Sequence, residues 1–248
     1  LIERKIKVID LSADFRLKDS SLFKKYYKLD HKSQFLFDDV VLGWPELYRK
    51  DLSNAKACAN PGCMSTSVVL GLYPLIKKGL LLEQIIVDSK TGVSGAGKAL
   101  KETSLYSEAN ENVLAYNTVI HRHVPEMELE LGLDIVFSPH LIPMNRGILS
   151  TIYCRYDSNK KITHNYLRDI FMEAFINEPF MQYIDQWERP TTKDVCSTNF
   201  CQVSFKLFEE KNQIIVFSAI DNLIKGASGQ AVQNMNIMCG FEETEGLI

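Results

Sequence analysis

Ala59-Asn60-Pro61-Gly62-Cys63-Met64-Ser65-Thr66 joins a short apolar strand to an apolar helix and leaves one cysteine where the helix starts. Pro61-Gly62 breaks the preceding segment. Val68, Val69, Leu72, Leu75 and Ile76 then recur at helical spacing, and the pattern ends near Gly79. Cys63 therefore falls in the first helical turn, where free backbone N–H groups and the positive end of the helix dipole favour a thiolate. A thiolate there attacks an electrophilic carbonyl carbon, and neighbouring N–H groups hold the oxyanion. A buried structural cysteine is the competing reading of the same residues.

Working outward, the strand before this turn spans Ala55 to Ala59, and Lys5 to Asp10 reads as an earlier buried strand. Asp19 to Leu29 reads as a helix with Leu22, Phe23 and Tyr26 on one face. Beyond the Cys63 helix come a strand at Gln84 to Asp88, a helix at Pro125 to Leu131 and a strand at Ile135 to Ser138. Gly147 to Tyr156 is a β-branched strand, and Thr163 to Ile176 is an amphipathic helix. Phe200 to Phe208 and Gln213 to Ile220 alternate as paired strands, and Gly226 to Cys239 closes the chain as a helix. Strands outnumber crossover helices in the middle of the chain. That favours an α/β protein whose α+β middle carries a mixed or antiparallel sheet with helices on one face. The two ends read as pieces of a separate, parallel α/β unit.

A chain of 248 residues, 46% hydrophobic and 24% charged, has the size and composition of a globular protein with a substantial core. Its net charge of −3 gives no general pull toward nucleic acid or an anionic membrane. No apolar run approaches the roughly 18 residues of a membrane span, and no signal peptide is expected. Cys58, Cys63, Cys154, Cys196, Cys201 and Cys239 form no C-x2-C pair, which argues against a zinc site. A reducing cytoplasm with free thiols is expected. The chain opens at Leu1 directly into a strand, so a preceding segment is expected.

Four further stretches carry chemistry. His121-Arg122-His123-Val124-Pro125-Glu126 gathers two imidazoles, a guanidinium and a carboxylate, with Glu126 in the first turn of a helix. A histidine there exchanges protons near neutral pH, against the plainer reading of a polar capped loop. Gly92-Val93-Ser94-Gly95-Ala96-Gly97-Lys98 is a glycine-rich turn after a strand, able to approach a phosphate or a flat ring, or simply to turn tightly. Ser12-Ala13-Asp14-Phe15-Arg16 follows the first strand, where α/β sheets bind ligands. Arg16 there binds a phosphate or carboxylate, or pairs with Asp14 or Asp19. Pro143-Met144-Asn145-Arg146-Gly147 offers a second such arginine, and Lys225-Gly226-Ala227-Ser228-Gly229-Gln230 offers small residues at a helix start, a possible anion cradle.

These segments occur in the order found in the N-acetyl-gamma-glutamyl-phosphate reductase family, which the chain resembles along nearly its whole length. The resemblance rests on Val8 to Arg16, Ala59 to Cys63, Ser94 to Gly97, His121 to Glu126, Pro139 to Gly147 and Asp221 to Asn234. It also reaches the wider superfamily of aspartate-semialdehyde dehydrogenase. The resemblance implies an NADP-binding Rossmann domain, here residues 1–62 and 225–248. It also implies a catalytic and dimerisation domain like that of glyceraldehyde-3-phosphate dehydrogenase, here residues 63–224. It implies that Cys63 attacks the acyl phosphate, that His123 or His121 exchanges the proton, and that Glu126 orients an imidazole or the substrate. It further implies substrate binding by Arg16, Asn60 and Arg146, with NADPH lining Ser94, Gly95, Gly97, Gly226 and Gly229. A homodimer or homotetramer acting on a small-molecule acyl phosphate follows from the same likeness, with no part for nucleic acid, membrane or metal.

One departure stands out. The family's N-terminal G-x-x-G-x-x-G fingerprint is missing from this sequence, so weak or absent turnover with NADPH is expected of this chain alone. Two rivals remain open: the paralogous aminoadipyl-phosphate reductase of lysine biosynthesis, and a non-catalytic dimerisation module. Reduction of aspartyl phosphate is disfavoured by Gly62 and by the His-Arg-His segment.

Overall fold

Alternating burial along the strands divides the chain into two sheets. A computed structural model describes residues 1–80, 82–97, 101–157, 161–185 and 189–248; Lys98 of the glycine-rich stretch lies outside them. The first sheet is small and wholly parallel. It consists of β1 (Val8–Asp10), β2 (Val40–Leu42) and β3 (Ala57–Ala59) in the order β1-β3-β2. Helix α1 (Ser20–Tyr27) lies between β1 and β2, capped by Asp19, whose carboxylate accepts the N–H groups of Ser21 and Leu22. Helix α2 (Pro45–Asn54) begins with proline in its first turn.

Neither β2 nor α2 follows from the sequence pattern. Strand β2 has three residues, too few for a period to show, and α2 is interrupted by a non-helical Tyr48 at φ −125°. Both are fixed by tertiary contact. Leu52 and Cys58 pack with Ile237 and Met238 from the end of the chain in one core cluster.

Helix α3 (Cys63–Lys77) leads from β3 into the larger sheet. That sheet contains β4 (Leu82–Thr91), β5 (Leu114–Ala115), β6 (Ile135–Leu141), β7 (Ile148–Tyr156), β8 (Met181–Tyr183), β9 (Cys201–Phe208) and β10 (Gln213–Ile220). Its order is β5-β6-β4-β7-β10-β9-β8. Among the described residues only the β4–β6 and β8–β9 pairs of this sheet are parallel, so it is mixed, one of the two arrangements that the excess of strands over crossover helices favours. Helices α4 (Tyr106–Ala109), α5 (Val124–Leu131) and α6 (His164–Phe175) complete the middle of the chain. Thr163 caps α6 through its hydroxyl.

In β7, residues 148, 150, 152, 154 and 156 are buried while the intervening ones are not. The buried row packs beneath α3, α5 and α6 in one core that includes Val87, Phe137, Ile152, Phe171 and Phe205. The other face leaves Ile86 and Val136 about half exposed, at 46% and 51%.

The last helix departs from expectation at its start. Residues Ile224–Ser228 form a π-helical turn, and the α-helix proper, α7 (Gly229–Cys239), follows it. Helix α7 returns to the small sheet and packs on α2 and β1. All six cysteines are free. No helix among the described residues is long and apolar enough to cross a membrane.

Candidate active site

The turn after β3 points α3 at the base of a cleft, and Cys63 is its first residue. Under α3 the buried hydroxyls of Ser67, Ser89, Ser150 and Ser218 bond to one another, with Ser67 Oγ 2.9 Å from Ser150 Oγ and 3.2 Å from Ser218 Oγ. Gly71 lets the helix approach the sheet: a Cβ there would stand 3.2 Å from Ile152 Cδ1. These contacts fix the height of the helix, and hence of Cys63, above β7 and β10.

Helix α5 meets α3 end to end. Glu126, in its first turn, is buried, and its Oε1 accepts the Gly62 N–H at 2.8 Å. Burial pushes the Glu126 carboxyl up, against the opposing pull of Arg16 and of the Gly62 N–H. His123 precedes the helix and lays its ring over Gly62. A Cβ at residue 62 would lie 2.4 Å from His123 Nε2 and 2.6 Å from Cε1. The glycine beside the cysteine is thus the seat of an imidazole. Its φ of −72° asks nothing special of the backbone.

His121 stands behind His123, with ring centroids 4.8 Å apart and edge to face. Its Nδ1 accepts the His123 backbone N–H at 3.1 Å. Burial, with help from Arg122, lowers His121 to about 4. Burial also drives His123 well below the ordinary imidazole range, with His121, Arg16 and Arg122 adding to it. Both rings are therefore neutral at pH 7 and able to accept a proton.

The sequence argument for a ready-made thiolate needs correction. Burial pushes the Cys63 thiol up to about 11, outweighing Arg16 and the N–H groups of Met64 and Cys63, which favour the thiolate. Cys63 keeps some surface toward the cleft, but protein surrounds the rest of it. Desolvation of a charge costs more here than one helix end returns. The resting pair is thiol and neutral imidazole.

Arg16 does not pair with Asp14 or Asp19. Its Nε donates to the Asn60 carbonyl at 2.8 Å and its Nη2 to the Leu11 carbonyl at 2.9 Å. Those bonds aim the guanidinium at a cavity of about 180 Å³, which it lines with Cys63, His121, His123 and Gly95. Tyr27, Tyr116 and Arg122 also line it. Sequence reasoning passed over Tyr27 and Tyr116, and noted Arg122 only as a neighbour of the histidines.

Three expected ligand contacts are differently placed. Asn60 is buried, donates to the Ala227 carbonyl at 3.1 Å and accepts from Asn234 at 3.1 Å, so its amide holds the α7 start rather than facing the cavity. Arg146 is not among the cavity-lining residues; its Nη1 lies 3.4 Å from buried Asp221, whose charge it balances. Gly226 and Gly229 are not an anion cradle. The space of a Cβ at Gly226 is taken by Cys63 Cβ at 2.7 Å, and that at Gly229 by Asn199 Oδ1 at 2.4 Å. The adjacent Lys225 is fully buried, with its Nζ 2.7 Å from Glu46 and 2.8 Å from Gln233.

Gly95 forms cavity wall, and Gly97, at φ +78°, has nothing among the described residues within 4 Å of where a side chain would be. Ser94 is engaged: its hydroxyl donates to the Asn145 carbonyl at 2.6 Å and accepts from Asn222 at 3.0 Å. Ser94 thus braces the turn that brings Gly95 to the cavity. Among the described residues no cluster of His, Cys, Asp and Glu is placed to hold a metal ion.

The family described as semialdehyde dehydrogenase, dimerisation domain, matches residues 63–222. N-acetyl-gamma-glutamyl-phosphate reductase of Thermoanaerobacter sp. is 48% identical over 254 residues, covering 99% of this chain and 72% of that protein. The protein of the same name from Campylobacter jejuni subsp. jejuni is 43% identical over 251 residues, covering 98% and 73%. Aspartate semialdehyde dehydrogenase II from Vibrio cholerae shares the fold, with a TM-score of 0.67 at 17% identity over 84% of this chain and 71% of that one. Nearly half of its residues in common with the Thermoanaerobacter reductase, along almost its entire length, place this chain in the N-acetyl-gamma-glutamyl-phosphate reductase family.

Proposed function

We propose that the chain catalyses reduction of N-acetyl-gamma-glutamyl phosphate to N-acetylglutamate 5-semialdehyde and phosphate, a step of arginine biosynthesis, through a thioester on Cys63. One observation carries this reading: Cys63, a neutral His123 and Arg16 line a single cavity. Cys63 Sγ attacks the acyl carbon as its proton passes to His123 Nε2. The new C–S bond replaces the C–O bond to phosphate. Arg16 takes the phosphate oxygens with the N–H groups its carbonyl bonds leave free, and favours the thiolate as it forms. The N–H groups of Cys63 and Met64 hold the oxyanion.

Gly95 and Gly97 would hold a nicotinamide cofactor, taken as NADPH, which would supply the hydride. His123 gives its proton to the oxygen of the resulting hemithioacetal and recovers one as the C–S bond breaks, freeing the aldehyde. Glu126 positions the Gly62 N–H and so the helix start; Asn60 positions Arg16 through its carbonyl. Residues 63–224 form the catalytic unit and 1–62 with 225–248 the nucleotide-side unit. The outward sheet face at Ile86 and Val136 is the surface on which a second copy pairs.

The test omits nucleotide. On mixing with N-acetyl-gamma-glutamyl phosphate, the chain should release one phosphate per protein and carry the acyl group on the peptide containing Cys63. Cys63→Ala should do neither. Equal phosphate release by Cys63→Ala would end this reading.

A further inference from the structure

Two guanidiniums face the cavity, and they differ in placement. Arg16 acts directly on Cys63, whose thiolate it favours. Arg122 sits beside the histidines and Tyr27: it lowers His121, and its Cζ lies 5.6 Å from the centre of the Tyr27 ring. Among the described residues no carboxylate pairs with Arg122 and no hydrogen bond engages it, although it lines the cavity. Tyr27 is half-buried, and its ring stacks on buried Phe23 with centroids 4.9 Å apart, so it is held as a platform. A stacked guanidinium keeps its planar edge of N–H donors free for an anion.

The chemistry of the substrate assigns the two cations. The acyl carbon must reach Cys63 Sγ, so the phosphate bonded to it lies beside Arg16. The other anionic group of a gamma-glutamyl phosphate, its α-carboxylate, is separated from the acyl carbon by three carbons of the chain. We infer that Arg122, stacked on Tyr27, is the specificity-determining residue that binds this α-carboxylate. The inference rests on the acyl-phosphate reading above. It replaces Arg146, which the structure engages with Asp221 and Ser197.

The experiment follows acylation of Cys63 without nucleotide, using two probes. One is N-acetyl-gamma-glutamyl phosphate; the other is 4-acetamidobutanoyl phosphate, identical but for the α-carboxylate. The wild-type chain should acylate faster with the first by about tenfold to a hundredfold, the range of a charge-assisted pair. Arg122→Met should lose that preference, its rates with the two probes falling within about twofold of each other, a ratio that any change in His123 basicity leaves untouched. Arg122→Lys should keep part of the preference, because the charge survives and the planar fork does not. The same preference in Arg122→Met as in wild type overturns the inference, as does an equal loss with both probes. Failure of the wild-type chain to form a thioester with either probe overturns the acyl-phosphate reading itself, a result that no Arg122 variant mimics.

Discussion

Alanine at position 62 isolates the contact between nucleophile and base. The backbone there, at φ −72°, admits alanine without strain, so any effect comes from the added methyl alone. That methyl would stand 2.4 Å from His123 Nε2, and ordinary contact begins near 3.4 Å. The ring must retreat by about 1 Å, into the cavity or against His121. Overpacking of this kind costs about 1–3 kcal/mol, and a chain of this size loses roughly 2–4 °C of Tm for each kcal/mol. A misplacement of about 1 Å at the reacting groups costs on the order of a hundredfold in rate. Gly62→Ala should therefore remain folded, with a modestly lowered Tm, and acylate Cys63 about a hundredfold more slowly. Rapid-quench measurement of phosphate release gives the rate, and calorimetry gives the Tm. The double variant Gly62→Ala/His123→Ala completes the cycle. With the imidazole gone, the methyl should cost almost no further stability. An equal penalty in both backgrounds, or a wild-type rate in Gly62→Ala, would refute the steric argument.

Glu126→Ala should lower stability by about 1–3 kcal/mol by orphaning the Gly62 N–H, whereas Glu126→Gln keeps the acceptor and should stay within about 1 kcal/mol; urea melts distinguish them. Lys225→Met should cost about 3–5 kcal/mol by leaving Glu46 charged and alone, and Glu46→Met in the same chain should recover most of it, as read by thermal melts. With the Cys63 thiol raised to about 11, its alkylation by iodoacetamide should climb steadily between pH 8 and pH 10 while exposed Cys196 and Cys239 react first; peptide mapping that finds Cys63 at its plateau by pH 7 contradicts the desolvation argument. The same raised value has a stability consequence. The folded thiol holds its proton where the unfolded one, near 9, releases it, so this contribution is complete below pH 9 and declines as pH rises toward 11. Urea melts of wild type and Cys63→Ala across that range should converge as the pH increases.

Local pattern carried much of the answer. The apolar spacing after Cys63, the alternation at 148–156 and 213–220, and the Pro125 helix start each follow from side-chain periodicity or from fixed backbone preference, and each formed within a residue or two. The order of the motifs identified the family, because a long series of short matches needs no contact map. What failed to show was whatever depends on a partner distant in sequence. Strand β2 and helix α2 exist because α7 returns to cover them. Asn60 looked like a ligand until Asn234 and Ala227 claimed its amide.

By itself the sequence determined that one cysteine opens an apolar helix, that two histidines and a glutamate stand together, and that the middle of the chain forms a mixed or antiparallel sheet. Only the folded chain decided that His123 lies over Gly62, that Tyr27 and Arg122 reach the same cavity from separate elements, and that Arg146 serves Asp221 instead. It also reversed the ionisation of Cys63. The helix end that favours a thiolate is a local property, legible in a few residues. The desolvation that opposes it is summed over every group packed around the sulfur, and no stretch of sequence contains that sum.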